Sequence, residues 1–375
     1  MTESENTIDN SEAEVKEKDL SSVYTTNLAS ILKQFKISLA VSTYQSGKLI
    51  LIREDDNAVN THFRNFNRPM GVAVKGNQIS IGCFNSVVSY YNIPALMPRL
   101  DAPEKYDACY VPRKTQETGA IDIHEMAWGS DNKLWFVNTK FSCLCTIDSE
   151  YSFRPEWRPG YISSLGPEDR CHLNGLGMKD GKPKFVTALG EVDEPEEWRK
   201  NKRNGGLLID VETDKILLRN LSMPHSPRWY DNKIWFLESG YGALSYFDTV
   251  ALKKVEVTRV PGFCRGVDFI GNLAFVGLSQ VRETAVFADF PLLEELEERI
   301  CGVYVVDIRD GKIVAFIKFE GDVEEIFAVQ ILHNTQFPEI MEFGDELLDN
   351  CYIIPDESLK DVLVKQQRPE KVDDK

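Results

Sequence analysis

Short apolar runs alternate with turn residues along most of the chain, and the alternation recurs as a unit. Residues 70–77 (MGVAVKGN) lead into QISIGCFNSVVSYYN, residues 124–132 (HEMAWGSDN) into KLWFVNTKFSCLCTID, and residues 225–232 (HSPRWYDN) into KIWFLESGYGALSYFD. Residues 265–272 (RGVDFIGN) run into LAFVGLSQVR and, after an insertion, GVYVVDIRDGK; residues 174–181 (NGLGMKDG) continue as KPKFVTALG and, after another, GGLLIDVETDK. Each unit reads as an apolar strand, an Asn or Gly turn, a second strand rich in Ile, Val, Phe and Trp, and a third ending near Asp. Strands at regular spacing with turn signals between them predict an all-β array.

A sixth start, EIFAV at 325–329, lacks the strands that should follow, and these lie at the other end of the chain as SLAVSTYQSGKLILIRED, residues 38–55. The starts at 70, 124, 174, 225, 265 and 325 are 54, 50, 51, 40 and 60 residues apart, near the roughly 40 to 50 of a propeller blade once insertions are allowed. The pattern therefore predicts a six-bladed β-propeller over residues 31–355, closed by pairing N-terminal strands with the C-terminal inner strand.

Composition fits one large closed domain, since radial repetition replaces a single swelling core and 42% hydrophobic residues suffice to fill the seams between blades. The formal charge of −16 disfavours nucleic acid and anionic membrane as partners. Residues 1–30 open with an acidic, apolar-poor stretch that is expected to be disordered, and 356–375 are expected to form a loose tail. The start has no export signal and no run of about 18 apolar residues occurs, so a cytoplasmic protein is expected, its eight cysteines mostly reduced. Cys143 and Cys145 share a face of one strand and read as small core residues.

Candidate chemistry comes from the repeat itself. Stepping back four residues from Val74, Trp128, Met178, Trp229, Phe269 and Val329 gives Met70, His124, Asn174, His225, Arg265 and Glu325. Five of these six are polar, directly before strands that otherwise avoid polarity, and a propeller would bring them around one channel. Two imidazoles, a carboxamide and a carboxylate suit a divalent cation such as Zn, Fe, Mn or Ca, so His124, Asn174, His225 and Glu325 are the expected metal ligands. A metal-free pocket is the competing reading, with a histidine as general base and Arg265 as an anion clamp. Arg68 and His172, two residues before the ring in their repeats, form a second tier: Arg68 and Arg265 would orient an anionic substrate group, and His172 would transfer a proton. His62 and His333 fall outside the ring and read as structural. Insertions at 190–206 and 283–302, the second with the helical stretch LLEELEERI, are placed to cover the channel mouth.

The strings STYQSGKL, RPMGVAV, HEMAW with LWFVNT, FRPEWRP, CHLNGLGM, MPHSPRW and PGFCRGVDFIGNLAFVGLSQVRE together resemble an uncharacterised family of bacterial conserved hypothetical proteins, over residues 36 to 335. That resemblance brings no settled activity. The stretch from His172 to Gly175 is more distantly similar to inner strands of gluconolactonase and strictosidine synthase type propellers, in which a carboxylate and asparagines hold a divalent cation; only Asn174 and Glu325 correspond by position. No G-x-S-x-G, P-loop, dinucleotide glycine pattern, H-E-x-x-H or paired C-x-x-C occurs. The sequence thus points to a metal-dependent hydrolase or lyase, ahead of an oxidoreductase, acting on a small molecule or peptide. The alternative is a noncatalytic scaffold that presents a peptide or protein partner, with Trp157 and Trp198 as contact residues.

Overall fold

Strand pairing in the computed structural model sorts the described residues, 19–280, 291–296 and 299–359, into six sheets. The first blade runs outward through Val72–Lys75, Gln78–Gly82, Ser86–Asn92 and Ala108–Glu117, and the second through Ile123–Trp128, Leu134–Asn138, Cys143–Thr146 and Arg154–Trp157. The third holds Leu173–Lys179, Lys182–Ala188, Gly206–Asp210 and Lys215–Leu221, and the fourth Pro224–Tyr230, Lys233–Glu238, Ala243–Asp248 and Lys253–Arg259. The fifth holds Phe263–Ile270, Leu273–Ser279, Cys301–Asp307 and Lys312–Phe319. The first strand of each blade touches that of the next, and Ala328–His333 touches Val72–Lys75, so the circle closes.

The sixth blade makes the closure from both chain ends. Ala328–His333 pairs antiparallel with Ile37–Thr43, from Ser42 opposite Ala328 to Ile37 opposite His333, and Lys48–Asp55 and Ala58–Asn65 complete the sheet. The strand Ile37–Thr43 is buried on both faces, and a slip of one residue would move Leu39 and Val41 from the seam with the fifth blade to the seam that Ala40 faces with the first. Six apolar clusters fill the six seams between neighbouring blades. The core is therefore a ring of interfaces.

Five seams are also latched by a hydroxyl near the end of a blade's second strand. Thr139 Oγ1 donates to the Leu173 carbonyl (2.6 Å), Ser239 Oγ to that of Cys264 (2.6 Å), Ser279 Oγ to that of Ile326 (2.9 Å), and Ser42 Oγ to that of Met70. At the third seam, Thr187 Oγ1 donates to Asn174 Oδ1 (2.6 Å), and Asn174 Nδ2 donates to the Pro224 carbonyl (3.0 Å). Crowding at the axis explains the glycines that follow ring positions. Gly266 has φ +72° and a Cβ there would lie 2.6 Å from the Val329 nitrogen, so no larger residue fits.

Two features depart from the sequence reading at the termini. Within 1–30, expected to be disordered, residues 19–30 are ordered in part: Ser22–Tyr24 adds a fifth strand to the fifth blade, and the helix Leu28–Phe35 buries Leu28, Ala29 and Leu32 over the fifth and sixth blades. Apolar residues after the acidic opening supply the burial that the opening itself lacks. At the other end Pro338–Ile340 lies parallel to Ala108–Glu117, and Asp356–Leu359 is a 3₁₀ turn inside the span read as tail. Residues 1–18, 281–290, 297–298 and 360–375 lie outside the described residues.

A second polar belt crosses the inner strands. The Arg228 guanidinium pairs with Glu125, whose other oxygen accepts from Leu176 N (3.0 Å), while Arg228 also donates to the Leu176 carbonyl (3.2 Å). Asp268 accepts from the backbone N–H of Ile331 (2.8 Å) and Phe269 (2.9 Å). Burial pushes both the Glu125 and Asp268 carboxyls above their ordinary values.

Candidate functional site

The backbone entering the inner strand takes a left-handed kink at the same repeat position in four blades. Arg68, Asp122, His172 and Met223, each two residues before its ring position, have φ between 48° and 53°, a conformation costly for residues other than glycine. In two blades its consequence is visible: the carbonyl at the kink meets the imidazole two residues on, Asp122 O with His124 Nδ1 (3.2 Å) and Met223 O with His225 Nδ1 (2.9 Å).

The latching hydroxyls complete this arrangement. His124 Nδ1 lies 2.8 Å from Thr139 Oγ1, and His225 Nδ1 lies 2.9 Å from Ser239 Oγ. Each hydroxyl already gives its only proton to a carbonyl of the next blade, and the kink carbonyls have none to give. The proton therefore sits on Nδ1 in both rings, where the carbonyl and hydroxyl oxygens accept it, and Nε2 keeps its lone pair. His225 Nε2 is buried without a hydrogen-bond partner. Burial holds both imidazoles well below their ordinary pKa, and the charges of His172 and Arg265 push the same way.

His172 is held by a carboxylate. Its Nδ1 lies 2.9 Å from Asp169 Oδ2, which also accepts from the Trp198 indole N–H at 3.1 Å. The His172 ring leans on Trp198 at 4.3 Å between centroids and meets His124 edge-on at 4.9 Å. Arg265, 8% exposed, gives Nη1 to Glu325 Oε1 at 3.0 Å, with its Cζ 5.3 Å from the Phe263 ring centroid and 4.9 Å from that of Phe327. Its Nε–H is buried with no acceptor. A cavity of about 240 Å³ opens among these groups, lined by His124, His172, Trp198, Arg265, Glu325 and Phe327, with Tyr44, Asp122, Arg199 and Met223 at its sides.

The two insertions meet beside this cavity. Trp198, Leu189, Met223, Phe263 and Leu292 form one apolar cluster, and Arg203 pairs with Glu294 across it. The helix expected in the second insertion is present as Pro291–Glu295.

The structure thus joins His124, His172, Arg265 and Glu325 around one cavity, with His225 behind them and within electrostatic reach of Arg265 and His172. The other expected site residues are placed elsewhere. Asn174 spends both ends of its amide on the third seam, and Arg68 is exposed, stacked over Tyr44 and Phe84 outside the cavity lining. His62 bonds Glu339 at 2.8 Å, away from the channel. Trp198, named as a contact residue only under the scaffold alternative, is 4% exposed.

The expected cation set of His124, Asn174, His225 and Glu325 does not fit a metal in this arrangement. Asn174 is tied by both ends of its amide into the third seam, Glu325 is engaged by a guanidinium, and among the described residues no group of three or more His, Cys, Asp or Glu side chains is placed to hold an ion. Cys143 and Cys145 sit fully buried with Sγ atoms 3.5 Å apart, and their seam is apolar. Asp169, Tyr44, Phe327 and the two latching hydroxyls were missed by the sequence reading; the recurrence of Thr139 and Ser239 after the second strand is the signal that marks the hydroxyls.

No helix among the described residues is long and apolar enough to cross a membrane. No curated protein matches the sequence. The crystal structure of a nidogen/laminin complex is similar over 80% of this chain and 99% of the matched chain, at 9% identity and a TM-score of 0.50. The crystal structure of a protein of unknown function from Bacteroides caccae is similar over 79% and 98%, at 11% identity and a TM-score of 0.47. At such identities the first likeness shows a shared fold alone. The sequence profile of a domain of unknown function, DUF4915, matches residues 26–341, and the chain is a member of that family.

Proposed function

We propose that the protein is a cytoplasmic enzyme for a small molecule, with the channel-mouth cavity as its active site and proton transfer as its chemistry. The observation that carries this reading is the Asp169–His172 pair. A carboxylate that binds Nδ1 fixes the ring's tautomer and turns Nε2 toward whatever occupies the cavity, the geometry of an oriented general base. His124 presents a second bare Nε2 beside it, and Arg265 supplies fixed positive charge where a developing oxyanion would need it. Hydrolysis or elimination suits these groups, since both need a proton moved and negative charge received.

The test is a screen of ester, lactone and β-elimination substrates on the wild-type protein and two variants. Turnover is expected to fall by about 10²- to 10⁴-fold in His172→Asn. Asp169→Asn is expected to lower the rate and displace the pH–rate profile, because Asp169 acts by positioning the imidazole. Turnover that survives His172→Asn, or a folded wild type inert toward every class, argues against the enzyme. The scaffold alternative loses one of its two contact residues, since Trp198 is spent on His172 and Asp169.

A further inference from the structure

Resting on that reading of the cavity, we infer that its ligand is a small organic acid carrying one carboxylate, received edge-on by Arg265, with a planar body against Phe327 and the His172–Trp198 stack. Arg265 is the reason. A guanidinium has five N–H donors, yet among the described residues this one, 8% exposed and lining the cavity, is bonded only through Nη1 to Glu325. Buried donors without acceptors are costly, so proteins rarely keep them. A group lining a cavity in this state is matched to an acceptor that arrives with the ligand.

Charge selects among acceptors. Glu325 offsets one unit of charge at the guanidinium, and Asp122 and Arg199 add one charge of each sign to the lining. A phosphate dianion would face both carboxylates, whereas a neutral amide would leave charge-assisted bonds unmade. A single carboxylate matches the planar fork. Rings of Phe263 and Phe327 lie against the guanidinium, which leaves its edge as the approach. The walls choose the rest of the molecule: Tyr44, Phe327, Trp198 and two imidazoles suit a planar, unsaturated body. A volume of about 240 Å³, roughly eight waters' share of liquid, admits a small acid and is too small for a folded peptide segment.

The test uses benzoate, benzamide and phenyl phosphate, followed by isothermal titration and by ¹⁵N resonances of the five histidines. Benzoate is expected to shift the His172 and His124 resonances and to bind at least about tenfold tighter than benzamide, the increment of one charge-assisted pair. Phenyl phosphate is expected to bind no tighter than benzoate. Arg265→Gln should erase the preference for benzoate, and Arg265→Lys, which keeps charge and loses the fork, should erase most of it. Benzamide binding as tightly as benzoate, with both shifting His172, overturns the carboxylate and leaves the cavity reading standing. Phenyl phosphate binding tenfold tighter than benzoate overturns it in favour of a phosphoryl ligand. If no probe at millimolar concentration moves His172 or His124, both the inference and the reading beneath it fall.

Discussion

Arg228→Met is expected to destabilise the protein by about 3–5 kcal/mol, the cost of stranding a buried carboxylate. Glu125 lies inside the ring of inner strands, and Arg228 is its counter-charge. Burial already raises the Glu125 carboxyl, and Asp268 adds like charge nearby, so without the guanidinium only the Leu176 N–H bond favours its ionised form. For a chain of 375 residues a loss of this size lowers Tm by roughly 5 °C. The double variant Glu125→Leu, Arg228→Leu removes both charges and is expected to recover most of the loss, because replacing a buried pair by apolar groups is often close to neutral. Thermal and urea unfolding of the two variants make the comparison. A double variant less stable than the single would show that the pair contributes through something other than mutual charge compensation.

Mild acid is expected to weaken the fold through His124 and His225. Both are held well below the imidazole's ordinary value of 6.5 by burial, so the unfolded chain binds protons first as pH falls. Folded-state pKa values that are depressed mean stability in full above the unfolded value and progressive loss below it. From pH 7.5 to 5.5 the two rings together should cost about 3 kcal/mol. Glu125 and Asp268 oppose the trend, since their raised folded values let the native state take protons first. The difference between wild type and the His124→Gln, His225→Gln variant isolates the imidazoles. It should shrink steadily over that window, and a difference independent of pH would mean that the rings protonate freely in the folded state.

The blade count, the closure by both ends and the ring of polar positions were legible because period-2 alternation and turn residues repeat wherever a blade repeats. The site was legible in part. His124, His225, Arg265 and Glu325 fall on one repeat position, and the fold brings His124, Arg265 and Glu325 to one cavity. Asn174 occupies the same position and does something else, since Thr187 on the next strand and Pro224 in the next blade claim its amide. Contacts across a seam of this kind leave no mark on either local sequence. The kinks at Asp122 and Met223 were hidden for another reason: neither residue is a glycine, and the same kink recurs at Arg68 and His172, so it belongs to the repeat position and not to the residue type. Trp198 entered the sequence reading only as a contact residue of the scaffold alternative. Packing against Leu189, Met223 and Leu292 made it a wall.

The central claim is that the propeller's seams fix the protonation of the channel imidazoles, and histidine ¹⁵N NMR at neutral pH reads this directly. His124 and His225 are expected to be neutral, with the proton on Nδ1 and the Nε2 resonance that of an unprotonated nitrogen. Proton on Nε2 in either ring, or an imidazolium signal from either, would contradict it.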